Sequence, residues 1–426
     1  MKKSISHLVL FPLFLMLVLT SCEDVRKQTI TWLEFEPVYM SHEQFINSVG
    51  LETSQDLENP GKIYVYAGYL FVNEINEGIH IIDNRDPSNP QNIGFINIPG
   101  SKDLAIRNGI LYADSQKDLL IFDITDLEQP ELLERIEDVF NVSSEMAPGL
   151  TSEPIDPEKG LVIDWKPVIR QEVCEGSCRS HQGWAFQVLA STDAAVFNFG
   201  GSAEGSQTGV GGSMARFTIT GDYLYAVDHT DLITFNISSS ESTVKVDQKS
   251  LGWGIETIFP YGQNLFIGSE SAMYIYELSN PTSPNQLSVY MHATSCDPVV
   301  VEGDYAFVTL REGERCPRGV NRLEVIDVED LTQPTKVQTY EMISPHGLGI
   351  DDGILFVSEG DFGLKILNAA NPLEIRQLRH ITDIQAFDVI PLNGVLVVTG
   401  SGGIVQYDYS DINNLRQLSF IPVYKE

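Results

Sequence analysis

The stretch Gly109-Ile110-Leu111-Tyr112, followed by Leu119-Leu120-Ile121-Phe122-Asp123 and a turn from Asp126 to Pro130, decides the fold because its pattern recurs along the chain. A glycine turn opens each copy and an apolar or aromatic segment follows. After 11 or 12 residues in most copies, a second apolar run closes on a polar residue. Proline fixes φ and aspartate caps its own turn, so the closing segment predicts a tight reversal between strands.

The pattern occurs seven times at a nearly constant spacing. Its glycine-turn segments end at Phe71, Tyr112, Tyr225, Phe266, Phe307, Phe356 and Val397. These residues are 41, 113, 41, 41, 49 and 41 positions apart, so 72 extra residues follow the second copy and 8 extra residues lie in the fifth. A unit of about 41 residues with four short strands is the size of a propeller blade. We therefore predict an all-β fold, a seven-bladed β-propeller.

The boundaries follow from the repeat. Blades occupy residues 61–426, and the 72-residue insertion between units 2 and 3 covers residues 141–212. One blade cannot bury both faces of its sheet, so blades must pack against one another around an axis. A β-sandwich or a solenoid also has closely spaced strands, but the regular four-strand unit favours a closed ring. An eighth blade hidden in the insertion stays open as an alternative.

The repeat also resembles a known family. The runs Gly78-Ile79-His80-Ile81-Ile82-Asp83 and Leu119–Asp123, each followed by an Asp-x-x-x-Pro turn, resemble the LVIVD repeat of bacterial cell-surface proteins. Units 3, 6 and 7 depart from it with Asn236, Asn368 and a turn without proline after Asp408. The resemblance implies the propeller fold and says little about activity.

Composition limits the partners. The chain has 426 residues, is 42% hydrophobic and carries a formal net charge of −32. Its apolar fraction argues against disorder. Nucleic acid is excluded as a partner because neutralising phosphates needs a surplus of lysine and arginine, and docking by charge on an anionic lipid surface is disfavoured.

The first residues predict export. Lys2 and Lys3 precede the apolar run Leu8–Leu19, which is too short to span a bilayer comfortably and is typical of a signal peptide. The run ends in Leu19-Thr20-Ser21-Cys22, which resembles a bacterial lipobox. The resemblance implies a signal peptide at residues 1–21, cleavage before Cys22 and lipidation of that cysteine. The alternative is an ordinary signal peptide with an incidental cysteine.

Residues 22–60 form a lead-in to the blades. Glu23 and Asp24 resemble part of the surface-export signal of Bacteroidetes lipoproteins. The resemblance implies a lipid-anchored protein of the bacterial cell envelope, at the outer membrane, on its surface or its periplasmic side. Ser41 and Gln44 form a capping-box pattern that predicts a short helix. Thr29–Phe35 alternates like a strand and could help close the ring, although the seventh unit already has four strands of its own.

Strand topology predicts which face binds a partner. With strands A to D counted outward from the axis, A–B and C–D turns share one face, and B–C and D–A connections share the other. The insertion is a D–A connection, and the extra residues Arg311–Arg318 lie in a B–C turn, so both project from one face, here called the insertion-bearing face. Such elaborations predict a binding surface. In the insertion, His181 and Trp184 suit contact with a sugar or peptide, although Trp184 could instead anchor the insertion on the propeller.

Four cysteines besides Cys22 suit an exported protein with disulfides. Cys296 and Cys316 fall on the insertion-bearing face of one blade, which favours pairing between them. Cys174 and Cys178 could close a small loop of their own. Their spacing is wider than that of a usual zinc-binding pair, so no metal is assigned to them.

The starts of the A strands predict a ring of side chains at the channel mouth. Aligning the units gives Lys62, Asp103, Arg216, Thr257, Pro298, Gly347 and Asp388, with Glu256, Asp297 and His346 one residue earlier. Such a ring can hold a polar ligand or a cation, or line an ordinary solvated pore. The run between Gly200 and Gly212 lacks a P-loop ending, and its composition predicts a flexible hinge.

Two classes of function remain. The first is a lipid-anchored, non-enzymatic binding or scaffolding propeller that takes a protein or glycan partner on the insertion-bearing face. The second is a hydrolase or lyase at the channel mouth, with Asp103, Asp388 or His346 as acid or base and a divalent cation as a candidate cofactor. No other cofactor and no catalytic residue is assigned, because the sequence has no nucleophile elbow or zinc-protease motif.

Overall fold

The computed structural model describes residues 27–141, 151, 155–175, 208–213, 215–239, 242–293, 298–312 and 319–424. The chain divides into two compact units. The smaller includes described residues 27–37, 151 and 165–175, and the larger includes the remaining described residues. The larger unit is a seven-bladed β-propeller, which confirms the prediction from the 41-residue repeat. None of the helices among the described residues is long and apolar enough to cross a bilayer.

Three elements precede the blades: β1 (Lys27–Met40), α1 (His42–Asn47) and β2 (Gly50–Glu52). The capping box predicted for α1 is confirmed, since the Gln44 amide donates to Ser41 Oγ and the Ser41 amide donates to Gln44 Oε1. These bonds satisfy donors that a helix start otherwise leaves unpaired. Phe45 is the buried residue of this helix.

Blades 1 and 2 are built from consecutive antiparallel strands. Blade 1 comprises β3 (Pro60–Tyr66), β4 (Tyr69–Glu74), β5 (Gly78–Asp83) and β6 (Gln91–Asn97), and blade 2 comprises β7 (Leu104–Arg107), β8 (Ile110–Ser115), β9 (Asp118–Asp123) and β10 (Glu131–Ile136). The short β2 adds to the outer edge of β6 as a fifth strand of blade 1. An outermost strand otherwise leaves a row of backbone groups unpaired, so β2 covers part of this edge.

The strand β11 (Leu161–Glu175) follows blade 2 and pairs with β1 in a two-stranded sheet. The strand predicted for Thr29–Phe35 is present within β1, and of the two alternatives the structure has four strands of the seventh unit in blade 7 and not β1. The backbone groups of β1 pair with a strand of the insertion, which the repeat pattern does not contain. Within the smaller unit, Arg170 joins the two strands by ion pairs of 3.1 Å to Glu34 and 2.6 Å to Glu36.

Blades 3 to 7 repeat the arrangement of blade 2. Their strands are β12 (Phe217–Thr220), β13 (Tyr223–Val227), β14 (Asp231–Ser239), β15 (Ser242–Ser250), β16 (Ile255–Tyr261), β17 (Asn264–Ser269), β18 (Ala272–Glu277), β19 (Asn285–Met291), β20 (Val299–Glu302), β21 (Tyr305–Leu310), β22 (Arg322–Asp327), β23 (Thr335–Glu341), β24 (Leu348–Asp351), β25 (Ile354–Ser358), β26 (Leu364–Asn368), β27 (Arg376–Ile381), β28 (Asp388–Leu392), β29 (Val395–Gly400), β30 (Gly403–Asp408) and β31 (Arg416–Pro422). The insertion between blades 2 and 3 agrees with the prediction.

The third and fourth strands of every blade, counted outward from the axis, pair with a register shift. In blade 1 it falls between Ile81 and Ile82, and in blade 5 between Val325 and Ile326, inside the apolar run that closes each repeat. The other five blades carry a shift in the same pairing. A bulge increases the local right-handed twist of a sheet, so each blade has the twist needed to pack on its neighbours.

The core lies between the blades. The repeat residues Phe71, Phe266 and Phe307 are fully buried, and hydrophobic clusters join side chains of adjacent blades. The outermost strands are more exposed. Blade 7 takes all four strands from the end of the chain, and the Tyr424 amide donates to the Leu57 carbonyl at 2.7 Å. The ring therefore closes by packing and by this contact with the lead-in.

Candidate functional site

The ring positions lie at the starts of the innermost strands. The strands are β3, β7, β12, β16, β20, β24 and β28. Three ionisable members are almost entirely removed from solvent: Lys62 is 5%, Asp103 2% and Asp388 1% exposed. A solvated pore would leave these side chains in water, so burial requires partners for their charges.

Asp103 is the centre of a buried network that joins three blades. Its Oδ2 accepts from Lys62 Nζ of blade 1 and from the Arg216 amide at the start of blade 3. Its Oδ1 accepts from the Leu104 amide at 2.7 Å. Burial lowers the pKa of Lys62 to about 8, although the Asp103 charge opposes this shift. Both carboxylate oxygens are engaged, so Asp103 fixes the ends of three inner strands.

Asp388 is held separately in blade 7. Its Oδ1 accepts from the Val389 amide at 3.0 Å and lies over Gly347 of blade 6, where a Cβ would come within 2.1 Å of it. Burial raises the pKa of Asp388 well above its usual value, and Lys62 partly opposes that shift. Asp388 therefore makes its own contacts in blade 7, and Lys62 is the charge that it shares with Asp103.

His346 is a neutral histidine within the fold. Its Nδ1 lies 2.8 Å from the Ser344 carbonyl, which requires a proton on Nδ1 and a lone pair on Nε2. Burial, together with the positive charge of Arg311, lowers the pKa of His346 to about 3. Its ring packs on Phe387 with centroids 5.2 Å apart. A backbone carbonyl thus occupies Nδ1, and a neighbouring aromatic side chain covers the ring.

The axial channel contains residues 208–213, which are the end of the insertion and the residue that follows it, here called the channel segment. Val210 exchanges backbone hydrogen bonds of 2.7 and 2.8 Å with Val65 on β3. The Gly209 amide donates to Ile106 on β7 at 3.0 Å. Ser213 Oγ accepts from the Leu348 amide on β24 at 3.2 Å. These partners are inner strands of blades 1, 2 and 6, so the channel segment fills the space around the axis.

The glycines of the channel segment are packing residues. A Cβ on Gly209 would lie 2.3 Å from the Tyr64 ring, and one on Gly211 would lie 2.8 Å from it. The hinge predicted for the glycine-rich run is therefore wrong for this part of the run. Glycine is needed here because the backbone approaches an aromatic ring closely. Composition alone does not separate that requirement from flexibility.

Several predicted site residues lie outside the residues that the structure describes. These are Cys22, Cys178, His181, Trp184, Cys296, Asp297 and Cys316, together with the side chain of Cys174. Glu256 is half-buried on β16. Among the described residues, no group of three histidine, cysteine, aspartate or glutamate side chains is arranged to hold a metal ion.

Sequence reasoning missed a pocket between blades 2 and 3, here called the junction pocket. Phe140, Phe217 and Val227 form its apolar wall, and Arg216 and His229 supply polar groups. Its cavity volume is about 40 Å³, and it opens to solvent. Because a buried water needs roughly 10–15 Å³ of such space, the pocket has room for a few waters or for one small ligand group.

The junction pocket is assembled from connections on the insertion-bearing face. Lys102 precedes β7, and Gln116 lies in the β8–β9 turn. Asn141 begins the insertion, and its amide donates to Asp228 Oδ2 of blade 3 at 2.8 Å. No motif marks these positions, because they come from separate repeats and meet only when adjacent blades pack.

Comparisons with known proteins support the fold. Residues 60–97, 100–138 and 294–342 match the LVIVD repeat, which corresponds to blades 1, 2 and 5. The units with Asn236 and Asn368 in place of the closing aspartate are not among these matches. No curated protein was found to match the sequence.

Solved structures share the architecture at low identity. The Pseudomonas aeruginosa periplasmic gluconolactonase PpgL is 11% identical, with 88% of this chain and 96% of that chain covered and a TM-score of 0.52. The computationally designed Ika8 protein is 9% identical, with 87% and 91% covered and a TM-score of 0.50. Saccharomyces cerevisiae Sqt1 is 8% identical, with 88% of each chain covered and a TM-score of 0.50. Such likeness shows the fold alone.

Proposed function

We propose that this chain is a non-enzymatic binding or scaffolding β-propeller of the bacterial cell envelope. Lipid on Cys22 holds it to the outer membrane, and a protein or glycan partner binds its insertion-bearing face. The observation that carries the proposal is the contrast between a closed axis and an elaborated face. The channel segment occupies the channel, whereas the large insertion and the enlarged blade 5 turn belong to connections on one face.

The burial and hydrogen bonds of the ring residues at the channel mouth support a binding function over catalysis. General acid-base catalysis needs a group that reaches the substrate and has a pKa near the working pH. Asp103 has both oxygens engaged, Asp388 is buried in another blade, and the pKa of His346 is about 3. These side chains hold inner strands and neighbouring residues in place, so we assign them structural roles.

The sequence supports the anchor. Lys2, Lys3 and the apolar run before Cys22 resemble a lipoprotein signal. A chain with a net charge of −32 is repelled by anionic lipid headgroups, so acyl chains must supply the attachment. Each buried CH₂ contributes about 0.8 kcal/mol, and two or more chains give stable anchoring.

The proposal is tested with the full chain and its soluble Cys22→Ser variant. We expect the wild type in the membrane fraction and the variant in the soluble fraction. The soluble variant is then screened against glycans, peptides and divalent ions by thermal unfolding, since a ligand that binds only the native state raises the midpoint. Truncating two exposed aromatic side chains of the insertion-bearing face, Trp253→Ala with Phe362→Ala, should weaken partner binding.

The matched control is Leu373→Ala, which removes an exposed apolar side chain (46% exposed) from the opposite face. This variant should bind the partner as the parent does. Loss of binding in Leu373→Ala alone would move the site to the opposite face. Chemical turnover of a bound compound would favour the hydrolase or lyase alternative.

A further inference from the structure

Arg216 of the junction pocket is a cation that forms no ion pair with a described carboxylate. Within the described part of the chain, no carboxylate lies within 4.0 Å of the Arg216 guanidinium, although this side chain is only partly exposed. The chain has 59 acidic residues against 27 lysines and arginines, so carboxylates are abundant. A planar guanidinium in a sheltered site is suited to binding a carboxylate through two parallel hydrogen bonds.

Three other sheltered cations of the propeller are paired with carboxylates. Arg107 contacts Asp222 at 2.7 Å, Arg135 contacts Asp118 at 2.7 Å, and Lys365 contacts Glu359 at 2.9 Å. The Arg216 guanidinium differs from these cations because it has no carboxylate partner among the described residues. The backbone amide of Arg216 does have one, since it donates to Asp103. The backbone is therefore fixed while the guanidinium remains available, which is a favourable arrangement for a binding group.

The two aspartates of the pocket wall are engaged with the backbone. Asp114 Oδ1 accepts from the amides of Lys102 and Asp103 at 2.7 and 2.8 Å. Asp228 Oδ1 accepts from the Thr230 and Asp231 amides, each at 2.8 Å, and its Oδ2 accepts from Asn141. Backbone donors directed at these oxygens offset much of their charge, which reduces their repulsion of an anionic ligand.

An exposed aromatic side chain stands beside the pocket. Trp253 lies in the β15–β16 connection, on the insertion-bearing face, and is 64% exposed. Its ring meets that of His229, a pocket residue, at 4.3 Å between centroids and 81° between planes. An indole held by a neighbour and open to solvent offers an apolar surface for the C–H face of a sugar ring.

We propose that the junction pocket binds a hexuronic acid residue of a glycan, with its carboxylate on the Arg216 guanidinium and its ring against Trp253. The pocket volume of about 40 Å³ admits the carboxylate but not the ring, so the ring must lie outside, where Trp253 stands. Gln116 and Asn141 line the same pocket and offer amide groups to the sugar oxygens. The proposal rests on the proposed function, because it names the ligand of that face.

The test is calorimetric titration of the soluble Cys22→Ser chain with a galacturonate trisaccharide. A galactose trisaccharide is the neutral counterpart, and an acetylated di-aspartate peptide supplies carboxylates without a sugar ring. We expect the galacturonate compound to bind at least about tenfold more tightly than either, since a charge-assisted hydrogen bond contributes roughly 1.5–3 kcal/mol. Arg216→Gln should weaken this binding at least about tenfold.

One variant tests the aromatic part of the site, and a second variant is the matched control for Arg216→Gln. Trp253→Ala should weaken galacturonate binding several-fold and leave any binding of the peptide unchanged. Arg376→Gln removes an arginine that is 79% exposed on the outer strand β27, and binding should be unaffected. Arg216→Gln should keep the parental thermal midpoint, because the backbone amide of residue 216 still donates to Asp103.

Several results would overturn the proposal. They are no detectable galacturonate binding, equal binding of the neutral sugar, tighter binding of the peptide, and unchanged galacturonate binding in a folded Arg216→Gln variant. A partner that loses affinity in the Trp253 and Phe362 double variant while galacturonate fails to bind would reject this inference and keep the proposed function. If galacturonate does not bind and no partner loses affinity in the Trp253 and Phe362 double variant, the proposed function is rejected as well.

Discussion

The channel mouth and the junction pocket lie side by side and use their cations differently. At the mouth, Lys62 is buried against Asp103. In the pocket, Arg216 sends its amide to the same Asp103 and keeps its guanidinium free of carboxylates among the described residues. Charged residues close to an axis are thus not in themselves evidence of a binding site. The distinction lies in whether the fold already supplies the partner.

The largest expected effect comes from breaking the buried pair. Lys62→Met leaves Asp103 as a buried carboxylate without its cation, and we expect the free energy of unfolding to fall by about 3–5 kcal/mol. Chemical denaturation at pH 7 measures the change. The double variant Lys62→Met with Asp103→Asn should regain only part of this loss, because it removes the buried charge, but the asparagine oxygen keeps one of the two backbone hydrogen bonds and its Nδ2 faces the other backbone donor. Equal stability of the single variant and the wild type would contradict a structural role for this pair.

A smaller effect is expected from the channel segment. In Gly209→Ala the new methyl group would lie 2.3 Å from the Tyr64 ring, so the segment or the ring must shift. Such overpacking costs about 1–3 kcal/mol of unfolding free energy. The control is Gly402→Ala, where no atom lies within 4 Å of the added Cβ and a change under about 0.5 kcal/mol is expected. Equal effects of the two substitutions would show that the channel is not packed.

The smallest effect concerns His346 and depends on pH. Its pKa is about 3 in the folded chain and about 6.5 in the unfolded chain, so acid protonates the unfolded state first. The stability contributed by the neutral ring is present above pH 6.5 and decreases as pH falls towards 3.

Between pH 7 and pH 5, the loss should amount to about 1–2 kcal/mol, which His346→Asn should not show. Asparagine retains a donor near the position of Nδ1, so the contact with the Ser344 carbonyl can persist. Denaturation of both proteins at each pH isolates the histidine from the carboxylates. Parallel pH curves would contradict the buried, neutral ring.

The repeat predicts most of the fold. Glycine turns, apolar runs and their 41-residue spacing are local features, and each blade is a sheet of strands that are neighbours in the chain. The ring positions follow from the same alignment. The role of β1 could not be predicted, because its partner β11 lies inside the insertion, where no repeat sets the register.

The site was less predictable for a different reason. Whether Arg216 has a partner depends on loops from two blades, and whether Asp103 is open depends on Lys62, 41 residues before it. The channel segment is glycine-rich, and glycine serves both hinges and close contacts. The available signal for the junction pocket was Arg216, which directly precedes the inner strand β12. The alignment of the units assigned this arginine to the ring at the channel mouth.

The channel segment also has a consequence for the order of assembly. Its partners Val65 and Ile106 precede it in the chain, and β12 begins only at Phe217. Blades 1 and 2 can therefore contact the channel segment while most of the later blades have yet to be synthesised. Leu348, its partner in blade 6, follows 135 residues after Ser213. Blade 6 thus meets, at the axis, a segment whose other partners stand much earlier in the chain.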